Sequence, residues 1–129
     1  MDDERYRRYV RINLPHARTI VERIALSLER LGVLGGEGNG GFPALKAAHH
    51  ALEEEAAPFD DDPPREQALA AADAIAERGR ALVVAILATR ARGDRLGQLV
   101  RNLFECLGLP EEGAALALQC GEDPGSPLR

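Results

Sequence analysis

Residues 65–92 form an alanine-rich stretch that contains no proline and is interrupted only by Gly79. Its apolar residues recur at spacings of three and four, which is the periodicity of an α-helix and not of a strand. They are Leu69, Ala72, Ala76, Leu82, Val83, Ile86 and Leu87. A helix of this length spans roughly 40 Å. Residues 82–88 are apolar on all sides, so we expect other helices to enclose that half.

The remaining segments also have helical periodicity, and prolines and glycines separate them. Residues 2–13 predict a short helix, and longer helices are predicted over 15–31, 43–57, 95–107 and 110–120. Asn13 and Asp94 are the expected N-caps, and Gly32 and Gly108 the expected stops. We find no strand pattern. The sequence therefore predicts an all-α fold, a single-domain helical bundle of about five helices (residues 1–120) with a long central helix and a flexible C-terminal tail (residues 121–129).

Composition limits the classes of protein that this chain can belong to. Its 129 residues are 45% hydrophobic, which is enough for one buried core. The net charge of −5 argues against nucleic-acid binding. The charged start MDDERYRR is not a signal peptide, and no apolar run approaches a membrane span, so we expect a cytoplasmic protein with no membrane partner. Arginine outnumbers the single lysine, Lys46, which suggests a GC-rich bacterial genome.

Residues 49–55 contain the densest group of candidate metal ligands. On a helix, His49 lies one turn from Glu53, and His50 lies one turn from Glu54. An imidazole nitrogen and a carboxylate oxygen at this spacing can bind one divalent metal ion, as in metal-binding helical bundles. The predicted ligands are His49, His50, Glu53, Glu54 and His16, with Glu22, Asp73 and Glu77 as further candidates. The structural alternative is that His49 packs in the core and the others face water.

Two partial family resemblances involve the same acidic and histidine residues. The stretch HHALEEEAAPFD, residues 49–60, resembles part of the hemerythrin-type motif, in which paired His and Glu precede a Pro-containing turn. That family uses further histidines on later helices, and this chain has none after His50. Glu53, Glu54, Asp73 and Glu77 resemble the magnesium-binding carboxylates of MazG-like nucleotide pyrophosphatases. In that family an Asp follows the Glu of the later helix by three residues, whereas Arg80 follows Glu77 here.

Two other motifs lack the secondary structure that their function requires. Arg11 and His16 have the R-x4-H spacing that resembles HEPN-type ribonucleases, but Pro15 interrupts the helix between them. Residues 36–41, GEGNGG, match the GxGxxG pattern, but a dinucleotide site requires a preceding strand and here a helix precedes. We interpret residues 32–41 as a hinge between helices, or as a lid over a small-ligand pocket beside the long helix.

Because no motif is complete, the leading functional hypothesis is association. The protein would act as a homo-oligomer, an adaptor or a regulatory subunit, bound to a second copy or to a protein partner. Alternating charge along the chain, with two basic and eight acidic residues in 34–66, favours complementary pairing. The predicted interface residues are Tyr6, Tyr9, Leu96, Leu99, Leu103 and Phe104. A metal-dependent helical-bundle enzyme, with its His/Glu cluster on the helix 43–57, is the alternative.

Overall fold

The computed structural model describes residues 3–34 and 42–123, and these contain six α-helices and no strand. The helices are α1 (Asp3–Tyr9), α2 (Leu14–Arg30), α3 (Pro43–Ala56), α4 (Arg65–Leu87), α5 (Asp94–Cys106) and α6 (Pro110–Gln119). The all-α prediction is therefore confirmed for the described residues, which form six helices and not about five. None of these helices combines the length and the apolar character needed to cross a membrane.

The ends of α2 follow from the residues that flank it. The Asn13 side chain accepts a hydrogen bond from the backbone N–H of His16 at 3.1 Å, which satisfies one of the unpaired amides of the first turn. At the other end, Gly32 has φ +78°. Its N–H and that of Val33 bind the carbonyls of Glu29 and Leu28, which is a Schellman motif. Both predicted signals, the Asn13 cap and the Gly32 stop, are confirmed.

The long helix α4 is shorter than predicted and ends at Leu87, not at residue 92. Polar side chains cover its final carbonyl groups. The Thr89 hydroxyl donates to Ile86 O at 2.7 Å, and the Arg92 guanidinium donates to the carbonyls of Leu87 and Ala91. A cationic side chain at this position also favours the negative end of the helix dipole. These contacts replace a further helical turn.

The C-terminal half of α4 is not enclosed on all sides. Leu82, Val83 and Ile86 are buried, but Val84 is 69% exposed, so the prediction that neighbours surround this half was wrong. The buried side of α4 packs mainly against α3. At Gly79, α4 packs against the ring of Phe104 from α5. A Cβ added to Gly79 would lie 3.1 Å from this ring.

The other helices share one connected hydrophobic core. α2 packs against both α3 and α5, and α6 packs against α5. α5 and α6 can approach closely because Gly97 has no side chain. A Cβ at this position would lie only 2.6 Å from the carbonyl oxygen of Ala117. α5 is preceded by Gly93 as its N-cap, and not by Asp94 as predicted. The Asp94 carboxylate instead accepts hydrogen bonds from the Gln98 side chain and the Asp123 amide.

The first helix and the last described residues attach to this core through polar contacts. α1 contains no buried residue, but the Arg8 guanidinium donates to Asp73 at 2.5 Å and to Leu107 O at 3.1 Å. After α6, the Glu122 carboxylate accepts a hydrogen bond from Arg101 at 2.8 Å. Residues 121–123 therefore contact α5, and the rest of the predicted tail lies outside the described residues.

Candidate functional site

Helix α3 divides the two neighbouring histidines between core and solvent. His49 is buried, and its Nε2 donates to the carbonyl oxygen of Val21 on α2 at 3.0 Å. This matches the structural alternative of a packed histidine. His50 is exposed, and its ring nitrogens lie 3.9 Å from Glu53 and 3.5 Å from Glu54. The adjacent positions thus point to different environments, as successive residues of a helix must.

The structure does not place the five predicted metal ligands around one point. His16 is exposed in the first turn of α2, whereas His49 is buried between α2 and α3. Within residues 3–34 and 42–123, no group of three or more His, Cys, Asp or Glu side chains is placed to hold a metal ion. The carboxylate of Asp73, a further candidate, accepts a hydrogen bond from Arg8. Metal binding stays a prediction without a described ligand cluster.

The predicted interface residues separate into exposed and buried groups. Tyr6 is 49% exposed on α1, and its ring centre lies 6.4 Å from that of the half-buried Tyr9. The four residues predicted on α5 are all buried in the core of the same chain: Leu96, Leu99, Leu103 and Phe104. These four side chains pack within their own chain, and their part in an interface stays a prediction.

The incomplete motifs also have defined places. α1 ends at Tyr9 and α2 begins at Leu14, so Arg11 and His16 do not lie on one continuous helix. The GxGxxG segment and most of the proposed hinge or lid lie outside the described residues. The two cysteines, Cys106 and Cys120, are buried, and burial raises the pKa of each thiol to about 11. A thiol that stays protonated at neutral pH is a poor nucleophile.

Among the described residues, a concave surface follows the seam between α2 and α3. At one end it contains a cavity of about 580 Å³. Its walls are largely small and apolar, with Ala25 of α2, Ala47 of α3 and the flanking Leu34. Lys46, the single lysine of the chain, and Glu29 lie at its edge. A volume of this size is in the range of ligand and peptide sites in proteins.

Two smaller cavities continue the same seam toward the N-terminal end of α2. The first, of about 320 Å³, shares Glu53 with the large cavity and also has Glu22 and Glu54 in its lining. The second, of about 330 Å³, shares Arg18 and Glu22 with it. We call the surface lined by these three cavities the α2–α3 groove. It follows α2 from Pro15 to Glu29, a length of roughly 20 Å.

Charge is distributed unevenly along the α2–α3 groove. Its acidic lining residues are Glu22, Glu29, Glu53, Glu54 and Asp60, against the basic residues Arg18 and Lys46. Arg18 forms an ion pair with Asp60. Among the described residues, no arginine or lysine lies within ion-pair distance of Glu22, Glu53 or Glu54. The net negative charge of the groove is therefore greatest toward the N-terminal end of α2, although Glu29 and Glu53 also line the large cavity.

The motifs of the sequence do not indicate this groove. Ala25, Lys46 and Ala47 carry no motif, and a groove depends on how two helices sit beside each other. One signal was available, since the outward face of α3 repeats small residues at Ala44, Ala47 and Ala51. Comparison with models of known families, with curated proteins and with solved structures gives no significant match to this chain.

Proposed function

We propose that this protein acts by association with another protein, and that a helix of the partner lies in the α2–α3 groove. The observation that carries the proposal is the groove itself, with its 580 Å³ cavity continued by two smaller ones. Amphipathic helices that dock into apolar grooves are a recurrent mode of protein recognition. Association was also the leading hypothesis from the sequence.

The side chains of the α2–α3 groove suit a docked helix. Ala25 and Ala47 are small, so a third helix can approach to the 8–10 Å axial separation typical of packed helices. Charged side chains such as Glu29 and Lys46 border the apolar wall. An apolar centre with a polar rim is the usual anatomy of a protein interface.

The charge of the groove favours a different protein over a second copy of this chain. In a symmetric dimer the two copies bring either their acidic ends together, so that Glu22 and Glu54 oppose their own equivalents, or the acidic end of one against the large cavity of the other, where Glu29 offsets Lys46. Like charges at an interface cost binding free energy. We therefore favour an adaptor or regulatory subunit over a homo-oligomer. In this proposal the helices form a single bundle, in which the long α4 supports α3.

Site-specific photo-crosslinking in cells of the source organism tests the proposal. A benzophenone amino acid at Ala47 lies in the groove, whereas one at the exposed Ala114 of α6 is the matched control. We expect a defined partner to be crosslinked from position 47 and not from position 114. The substitution Ala47→Arg places a long charged side chain in the groove, and it should reduce co-purification of that partner at least about tenfold.

Two outcomes would contradict the proposal. Equal crosslinking from positions 47 and 114 would show that the groove is not the contact surface. A stable dimer in analytical ultracentrifugation that Ala47→Arg dissociates would assign the groove to a second copy. Elemental analysis of the purified protein tests the alternative function, since stoichiometric iron, manganese, zinc or magnesium would favour a metal-dependent enzyme.

A further inference from the structure

The two ends of the α2–α3 groove differ in chemistry, and this difference restricts what can occupy it. The large cavity, near Ala25 and Ala47, is mostly apolar. Toward the N-terminal end of α2, the lining contains Glu22, Glu53 and Glu54. An occupant that covers the whole groove must bury apolar surface at one end and meet carboxylates at the other.

We infer that the partner segment is a basic amphipathic helix of about 14 residues, apolar in one half and carrying Lys or Arg in the other. This inference rests on the proposed docking function. The length follows from the span of the groove from Pro15 to Glu29, at about 1.5 Å per helical residue. The basic half lies over the acidic end of the groove.

The present ionic contacts leave those carboxylates available. Arg18 is already paired with Asp60. Glu53 and Glu54 lie near the exposed His50, and no arginine or lysine of the described residues forms an ion pair with either carboxylate. Docking of an acidic helix would instead place like charges beside Glu22, Glu53 and Glu54. Charge complementarity therefore selects basic partners and rejects acidic ones.

Lys46 also bears on the orientation of the partner helix in the α2–α3 groove. Lys46 lies beside the large cavity, at the opposite end of the α2–α3 groove from Arg18 and Asp60. Lys46 can pair with an acidic residue at this end of the partner helix, whereas the other end of the groove offers only Arg18, which is already paired with Asp60. The partner helix thus has a preferred orientation, which its own order of charges sets.

Synthetic helices test this inference without knowledge of the natural partner. The probe is a capped 14-residue peptide, about four helical turns, with a leucine and alanine seam and lysines in one half. The matched peptide carries glutamate in place of each lysine. Binding to the full chain is measured by fluorescence anisotropy, and the site is located by amide chemical-shift changes in ¹⁵N-labelled protein.

We expect the lysine peptide to bind at least about tenfold more tightly than the glutamate peptide. Its shift changes should fall on α2 and α3, and its affinity should fall as salt rises from about 0.05 to about 0.5 M. The double variant Glu22→Gln/Glu53→Gln should remove most of the preference. The double variant Glu77→Gln/Glu111→Gln changes the net charge equally on exposed surfaces outside the groove and should keep it.

Equal binding of the two peptides on α2 and α3 would overturn the charge inference while leaving the docking function intact. An unchanged preference in Glu22→Gln/Glu53→Gln would also overturn it. No binding of either peptide, or shift changes confined to other helices, would reject both the inference and the use of this groove.

Discussion

The close contact between α5 and α6 depends on the absence of a side chain at Gly97. A Cβ at this position would lie 2.5 Å from the backbone nitrogen of Glu122 and 2.6 Å from Ala117 O. Neither atom can move freely, because the N–H of Glu122 binds Ala117 O at 2.9 Å in the cap that ends α6. The added methyl group would therefore have to separate α5 from α6.

We predict that Gly97→Ala lowers the free energy of unfolding by about 2 kcal/mol, as overpacking of a close contact does. Helix propensity alone predicts the opposite sign, a gain of up to about 1 kcal/mol. Urea unfolding followed by circular dichroism distinguishes the two effects, with Gln119→Ala at an exposed position of α6 as control. A stabilised Gly97→Ala variant would show that α6 shifts without cost.

At the scale of the helices, α4 and α6 are linked by an ion pair with two hydrogen bonds. The Nε and Nη2 atoms of Arg80 donate to the Glu112 carboxylate at 2.6 and 2.9 Å. The hydrogen bond from Arg80 lowers the pKa of Glu112 below its ordinary value of 4.5. Both side chains are partly exposed, so solvent screening limits the contribution to roughly 0.5 kcal/mol.

We therefore expect Glu112→Gln to destabilise the protein slightly at neutral pH. Because the folded-state pKa is lowered, the contribution of Glu112 is complete above the pKa of the unfolded chain and is lost as pH falls through the folded value. The difference between the native chain and Glu112→Gln should thus be constant near pH 7 and shrink below about pH 4.5. Urea titrations of both proteins at several pH values measure this difference in the free energy of unfolding.

Glu111→Gln supplies the matched control for this measurement. Glu111 is exposed in the same first turn of α6, so it shares the helix-dipole contribution but has no ion pair among the described contacts. If Glu111→Gln and Glu112→Gln had the same pH dependence, the link to Arg80 would contribute nothing.

At the scale of the whole molecule, the connected core predicts cooperative unfolding. The cluster of buried residues extends from Ile12, just before α2, to Cys120 after α6. The two buried cysteines report on α5 and α6, whereas circular dichroism reports on all helices. We expect pulsed thiol labelling of Cys106 and Cys120 and the loss of helical signal to give the same urea midpoint. Labelling at lower urea would indicate that α5 and α6 unfold separately.

The helical class and most helix boundaries could be predicted because their causes are local. Apolar periodicity identifies the helices, and Asn13, Gly32 and Gly108 mark ends through their own backbone and side-chain geometry. The end of α4 could not be predicted in this way, because Thr89 and Arg92 decide it by binding the last carbonyl groups. The exposure of Val84 depends on how many helices pack against α4, which periodicity does not specify.

Less of the candidate site than of the fold could be predicted from the sequence. Residues one helical turn apart, such as His50 and Glu54, were correctly expected to be neighbours. Convergence of His16 with His49, or the presence of a groove beside Ala47, depends on the placement of separate helices. Side chains such as those of Ala25 and Ala47 acquire a role only through that placement. The metal and interface assignments therefore stay predictions.

The anchoring of α1 by Arg8 has a consequence for synthesis of the chain on the ribosome. Asp73 and Leu107, the groups that Arg8 binds, follow it by 65 and 99 residues. α1 leaves the exit tunnel before either group has been translated. It therefore has no attachment site for Arg8 while α2 to α5 are synthesised. Its attachment is thus a late event in biogenesis, completed only when the turn after α5 has emerged.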